Sequence, residues 1–219
     1  DITVGGDVTV SGKGALTFGY VPGGTSVATA FTDIDGDVNV TSGGQLTFDS
    51  NNISVGSLYS NALVTTGVNT SYIVADQGDI EIDGNVYMNG ETDTAGLMIG
   101  ADSFTLGATA SGADVSVNSL FVGAGRSLDV NAKDAVTVDG VLNNSGTVGI
   151  DAGGTVLVNG AITTSDELIV DGTKIGITGD VTNSGVAKLN AADGSVVMGI
   201  LNSSGSEMVV SAATEVLAD

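Results

Sequence analysis

Apolar and polar residues alternate along this chain in short bursts, and the bursts recur. In VTVDGVLNNSG, residues 136–146, Val136 and Val138 flank a polar residue, Gly140 follows, and Leu142 leads into a polar corner, Asn143 to Gly146. Alternation puts successive side chains on opposite faces of a strand. Set in rows of about twenty, the C-terminal half reads SLDVNAKDAVTVDGVLNNSG from 127, TVGIDAGGTVLVNGAITTSD from 147, ELIVDGTKIGITGDVTNSG from 167 and VAKLNAADGSVVMGILNSSG from 186, with a partial row from 206.

The columns agree. The fourth holds Val130, Ile150, Val170, Leu189 and Val209. The twelfth holds Val138, Val158, Ile177, Val197 and Leu217. Gly140, Gly160, Gly179 and Gly199 fill the fourteenth; Leu142, Ile162, Val181 and Leu201 the sixteenth. SYIVADQGDIEIDGNVYMNG, 71–90, fits the same row with Val74, Ile80, Ile82, Gly84 and Val86 in their columns. DVTVSGKGALTFG and DVNVTSGGQLTFD, from 7 and 37, lie thirty residues apart, so one winding carries an insertion of about ten residues around 20–31. Residues 91–126 are less regular: GLMIGADSFTLGATASG reads as a shortened row and ADVSVNSLFVGAG as a partial one.

Each row has three short strand segments joined by tight corners. The expected fold is all-β: a right-handed parallel β-helix, or solenoid, with coils of about twenty residues stacked about 4.8 Å apart. About ten coils would make a rod of roughly 50 Å. The chain is one continuous domain, with less regular coils over 1–126 and regular coils over 127–219. The fourteenth-column glycines are expected at a corner where positive φ is cheap. The fifth-column Asn131, Asp151, Asp171 and Asn190 suit another corner. A β-sandwich array would show a longer period and a buried aromatic anchor. Strict alternation and the glycine load exclude a helical repeat.

Composition narrows the chemistry. The chain of 219 residues carries 34 glycines, one proline and no cysteine, tryptophan or histidine. No disulfide or thiolate chemistry is possible, and the commonest general base is missing. The net charge of −21 repels nucleic acid and anionic membranes. No apolar run approaches the roughly 18 residues of a membrane helix, so no membrane insertion is expected. The chain opens on Asp1 with no signal peptide, as a mature product or an excised piece would.

The motifs VLNNSGTVGIDAGGTVLVNG and DVTNSGVAKLNAADG resemble the haemagglutination repeats of large bacterial surface exoproteins, the filamentous-haemagglutinin type. The likeness is best over 127–205 and weaker over 71–90. It implies a secreted, adhesin-like surface fibre built as a parallel β-helix, outside the cell or on its surface and bacterial. This chain departs from that family in being more acidic and in showing no recognisable N-terminal secretion domain within these 219 residues.

Candidate sites are few. Asp33, Asp35, Asp37 and Asn39 alternate in DIDGDVN and form the one calcium candidate, although the order differs from an EF-hand loop and turn chemistry also explains it. Asp79, Glu81 and Asp83 could pair as carboxylates for glycoside cleavage, but alternation puts them on one outward strand face, the pattern of a solvated surface. The five bases, Lys13, Arg126, Lys133, Lys174 and Lys188, are scattered. No catalytic residue or bound cofactor is expected, calcium apart. Stacked Asp151 and Asp171 would repel unless Asn neighbours or a cation intervene. The insertion with Tyr20 and Phe31 could bind sugar or a partner, or pack over the rod as a cap. The N-glycosylation patterns NVT, NIS, NTS, NNS and NSS follow from Asn/Ser corners alone.

The ends suggest a partner. Asp219 falls at the fourteenth position, and Asp1 to Gly6 reads as positions fifteen to twenty, so the end runs into the beginning in register. Head-to-tail stacking into a filament would follow. The expected function is therefore a structural or adhesive extracellular rod whose partners are itself, surface glycans or host receptors. A carbohydrate- or partner-binding module of a larger secreted solenoid is the alternative. A polysaccharide-degrading enzyme ranks last.

Overall fold

The computed structural model describes residues 2–18, 31–41, 43–48, 50, 52–66, 72–82, 84–88, 96–99 and 101–218. Every regular element among them is a β-strand, and every strand pairing is parallel. The chain is a β-solenoid. One coil shows the plan: Ser127–Ala132 lies on a first face, Val136–Val138 on a second and Leu142–Asn144 on a third. Each pairs with the same segment of the next coil, at Thr147–Ala152, Thr155–Val158 and Ile162–Thr164. Among the described residues the first face is ten strands deep, from Ile2–Val4 to Glu207–Ala212. At the usual inter-strand spacing that stack is roughly 40–45 Å long.

Alternation decides what is inside. Leu128, Val130 and Ala132 from the first face, Val136 and Val138 from the second, and Leu142 from the third are all buried. Their partners one coil on, Val148, Ile150, Ala152, Val156, Val158 and Ile162, are buried too. Each buried Val, Leu or Ile among them contributes about 1.5–3 kcal/mol by leaving water. The inward columns keep their spacing within a strand, and length differences fall in the corners. Between the first and second faces, Gly172 and Ile175 are three residues apart, whereas Ala108 and Val115 are seven apart.

Several expected columns move by one residue. In the row from 186, the second strand points Val196 and Met198 inward, and Val197 is 42% exposed. Its partner Leu217 is 46% exposed. Three apolar residues run together in VVMGIL, so periodicity alone could not choose between registers; an extra residue in the corner AADGS settles it. In the last coil Val210, not Val209, pairs with Leu189. At 71–90, Ile73 and Ala75 point inward and Val74 outward, while Ile80, Ile82 and Val86 are buried as expected.

The fifth-column residues are not at a corner. Asn131, Asp151, Asp171 and Asn190 are Cα partners at an outward position within six-residue strands. The fourteenth-column glycines do lie at a corner, but for a different reason. The positive-φ glycines among the described residues are Gly12, Gly43, Gly96, Gly112 and Gly125, none of them in that column. A Cβ on Gly160 would instead lie 2.4 Å from the carbonyl oxygen of Gly140, and one on Gly179 would lie 2.6 Å from the amide nitrogen of Ala161. The coils stack so closely there that no side chain fits.

The start of the chain also sits elsewhere than expected. Ile2 and Val4 pair with Thr32 and Ile34 on the first face, so the stretch from Ile2 to Gly6 does not take the row positions expected of it. The in-register join drawn from the sequence does not hold. The stretch DVTV is a second-face strand, Val8–Ser11, followed by the third-face strand Ala15–Phe18. The thirty-residue offset of Val8 from its partner Val38 agrees with an inserted segment, whose residues 19–30 lie outside the described residues.

Candidate functional site

The acidic residues are the first place to look for chemistry, and several are occupied with the backbone. At the corner before the second face, the Asp7 carboxylate accepts the N–H of Asp37 at 3.0 Å. Asp79 accepts the N–H of Asp114 at 2.9 Å, and Asp114 accepts that of Ala135 at 2.8 Å. At the next corner Asp180 accepts the N–H of Ile200 at 3.1 Å. In each case the donor is one coil further on. An ionised acceptor makes a stronger hydrogen bond than a neutral one, so each carboxylate fastens one coil to the next.

The calcium candidates lie on one long strand, Phe31–Thr41, which rounds a corner. Its pairing with Asn52–Ser60 shifts register between Ile34 and Asp37. Asp33 projects from the first face and Asn39 from the second, with Asp35 and Asp37 around the corner between them. The backbone of Asp37 is engaged by Asp7. Alternation that would gather four ligands in a loop spreads them over two faces of a prism. Among the described residues no group of three or more acidic side chains is arranged to hold a metal ion.

Of the carboxylate set, Asp79 is half-buried and bound to the Asp114 amide, Glu81 is exposed, and Asp83 lies outside the described residues. Beside Glu81, a depression of about 120 Å³ is lined by Thr41, Tyr59, Ser60, Asn61 and Glu81. Small-molecule sites usually enclose several hundred cubic ångströms. Among the described residues, Arg126 pairs with Asp102 at 2.9 Å and donates to the Ala101 carbonyl, and Lys188 lies 4.0 Å from Glu207.

The third face holds the polar chemistry that column reading passed over. Asn144, Thr164 and Asn183 are buried, at the inward position two residues after Leu142, Ile162 and Val181. Asn144 donates to Thr164 Oγ1 at 3.1 Å and to the Glu167 carbonyl at 2.7 Å, and its Oδ1 accepts the N–H of Gly146 at 2.9 Å. Asn183 repeats the set with Ser203, Glu207 and Gly185. No buried side-chain nitrogen or oxygen among the described residues lacks a partner. The signal was in the sequence: in VLNNSG the second Asn is in phase with Leu142.

Aromatic residues divide by face. Phe18 and Phe48 stack inside the rod with ring centroids 5.7 Å apart. Tyr87 and Phe121 stack on the outer side of the third face, 4.9 Å apart. Asn85 donates to the Tyr87 hydroxyl and accepts from Asn118. Of the expected binding insertion, Phe31 opens the strand Phe31–Thr41, and Tyr20 lies outside the described residues.

No helix among the described residues is long and apolar enough to cross a membrane. No protein-family model matches the chain, and no curated protein or solved structure matches it either.

Proposed function

We propose that this chain is a structural element, an acidic β-solenoid rod of an extracellular or cell-surface fibre with an adhesive role. One observation carries the reading. Side chains that could do chemistry are used to hold coils together: Asp7, Asp79, Asp114 and Asp180 by backbone amides, Asn144 and Asn183 by contacts to the next layer. A catalyst keeps such groups free to face a substrate. The likeness of the NNSG corners to surface-exoprotein repeats points the same way. Electron microscopy of the purified chain, with attachment assays on coated surfaces, tests it. Particles of rod shape that adhere support the proposal. Turnover of a polysaccharide by the chain overturns it in favour of the enzyme.

A second reading, a glycan- or partner-binding module, has its own observation. The Tyr87–Phe121 pair faces outward beside amide side chains, and a flat aromatic pair of this kind suits the apolar face of a sugar ring. Glycan-array binding that falls on Phe121→Ala supports it. Unchanged binding, or none, removes it.

A further inference from the structure

One winding is longer than its neighbours. Asn52 and its partner Tyr72 are 20 residues apart, as are Asp129 and Gly149, but Tyr72 and its partner Thr105 are 33 apart. The surplus is not a coil. On the first face Asn52 to Val55 pairs directly with Tyr72–Ala75, and on the second Leu58 to Ser60 pairs directly with Ile80–Ile82. On the third face the matching strands, Leu63–Thr66 and Asn85–Met88, do not touch. Gly96–Ile99 lies between them, parallel to both. The segment that reads in sequence as a shortened row is thus one added strand on one face, and Ser103–Ala108 begins the next coil.

The added strand sits in register with both neighbours. Val64, Leu97 and Val86 line up inward, and Thr65, Met98 and Tyr87 outward. Leu97 and Ile99 are buried like the residues of any coil. Gly96 enters with φ +119°, and a Cβ there would lie 2.2 Å from the Asn85 carbonyl oxygen, so only glycine fits. With Gly96–Ile99 absent, Val64 would already face Val86 in the correct register, because the other two faces have closed.

We propose that Gly96–Ile99 is a guest strand: the coils on either side are complete without it, and its presence bends the rod. One extra strand adds about 4.8 Å to one face of a prism whose faces pack about 10 Å apart, which tilts the two arms by roughly 25° away from that face. The rod then consists of two straight segments set at a fixed angle.

Excision of residues 91–100 tests this. The four residues then left between Met88 and Ser103 equal the four that join Val122 to Ser127 in the following coil. The shortened chain should unfold cooperatively within about 5 °C of the parent and image as a straight rod, where the parent is bent. Excision of ten residues across Leu142–Asn144, a host strand of the same face, should abolish cooperative unfolding. Amide exchange in the intact chain gives a readout that needs no variant. Leu97, Met98 and Ile99 should exchange at least tenfold faster than Thr65 and Val86, whose amides point away from the guest, because the guest can leave without opening the coils. Equal exchange across the three strands, or a straight parent rod, overturns the proposal.

Discussion

Asp114 accepts the backbone N–H of Ala135, one coil above it, while its own N–H is held by Asp79, one coil below. A single residue thus links three layers, its carboxylate upward and its amide downward, at a corner where strand pairing is interrupted. Asp114→Ala leaves the Ala135 amide without that acceptor and should cost about 1.5–3 kcal/mol, the range for hydrogen bonds to charged groups. Asp114→Asn, which keeps an acceptor oxygen, should cost less. Urea denaturation of the two variants checks the order.

Asn183 is buried and makes three hydrogen bonds, to Ser203, to the Glu207 carbonyl and from the Gly185 amide. Asn183→Leu would fill the space but strand those partners, so a loss of about 2–4 kcal/mol is expected. Thr182→Leu, at the neighbouring exposed position, should change stability by less than about 0.5 kcal/mol. A thermal melt of the pair would reverse this order if Asn183 faced solvent.

Close stacking, not backbone conformation, fixes Gly160. Gly160→Ala would place a methyl 2.4 Å from the Gly140 oxygen, in a coil that cannot shift without its neighbours. A loss of about 3 kcal/mol or more is expected. Gly6→Ala meets nothing within 4 Å and should be nearly neutral. Comparable melting temperatures for the two would refute the stacked-corner explanation.

Val196 and Val197 are adjacent, yet only the first is in the core. Val196→Asp buries a charge among aliphatic side chains and should prevent the C-terminal coils from folding. Val197→Asp should be tolerated, and it removes an outward apolar pair with Leu217. Circular dichroism and solubility of the two variants decide the register directly.

Asp151 and Asp171 are Cα partners on adjacent strands, while Asn190 already donates to Asp171 at 2.8 Å. Like charges directly opposite each other are destabilising. Asp151→Asn should raise the melting temperature at low ionic strength, by an amount equivalent to about 1 kcal/mol or less, and the gain should fade with added salt. Calcium should stabilise the parent more than the variant. A melting temperature unchanged by substitution, salt and chelator would show that the column carries no electrostatic cost.

The sequence by itself determined the class of fold. A repeat of about twenty residues with three alternating segments has one compact solution, a parallel solenoid, because the aliphatic columns bury only by stacking on copies of themselves. It also set Val136, Val138 and Leu142 as core residues, since alternation within a short strand is unambiguous when polar residues flank it. Where apolar residues ran together, as at Val196, Val197 and Met198, the period could not choose a phase, and the corner length did.

The tertiary structure alone decided the rest. That the column of Gly140, Gly160 and Gly179 answers to the coil below rather than to φ depends on stacking distances absent from a linear pattern. The separation of Asp33 from Asn39 onto different faces depends on where one long strand bends. The place of Gly96–Ile99, which lies between two strands that both precede it in the chain, rests on pairing between distant segments. A local period records what each strand buries; only the folded chain records which strand it meets.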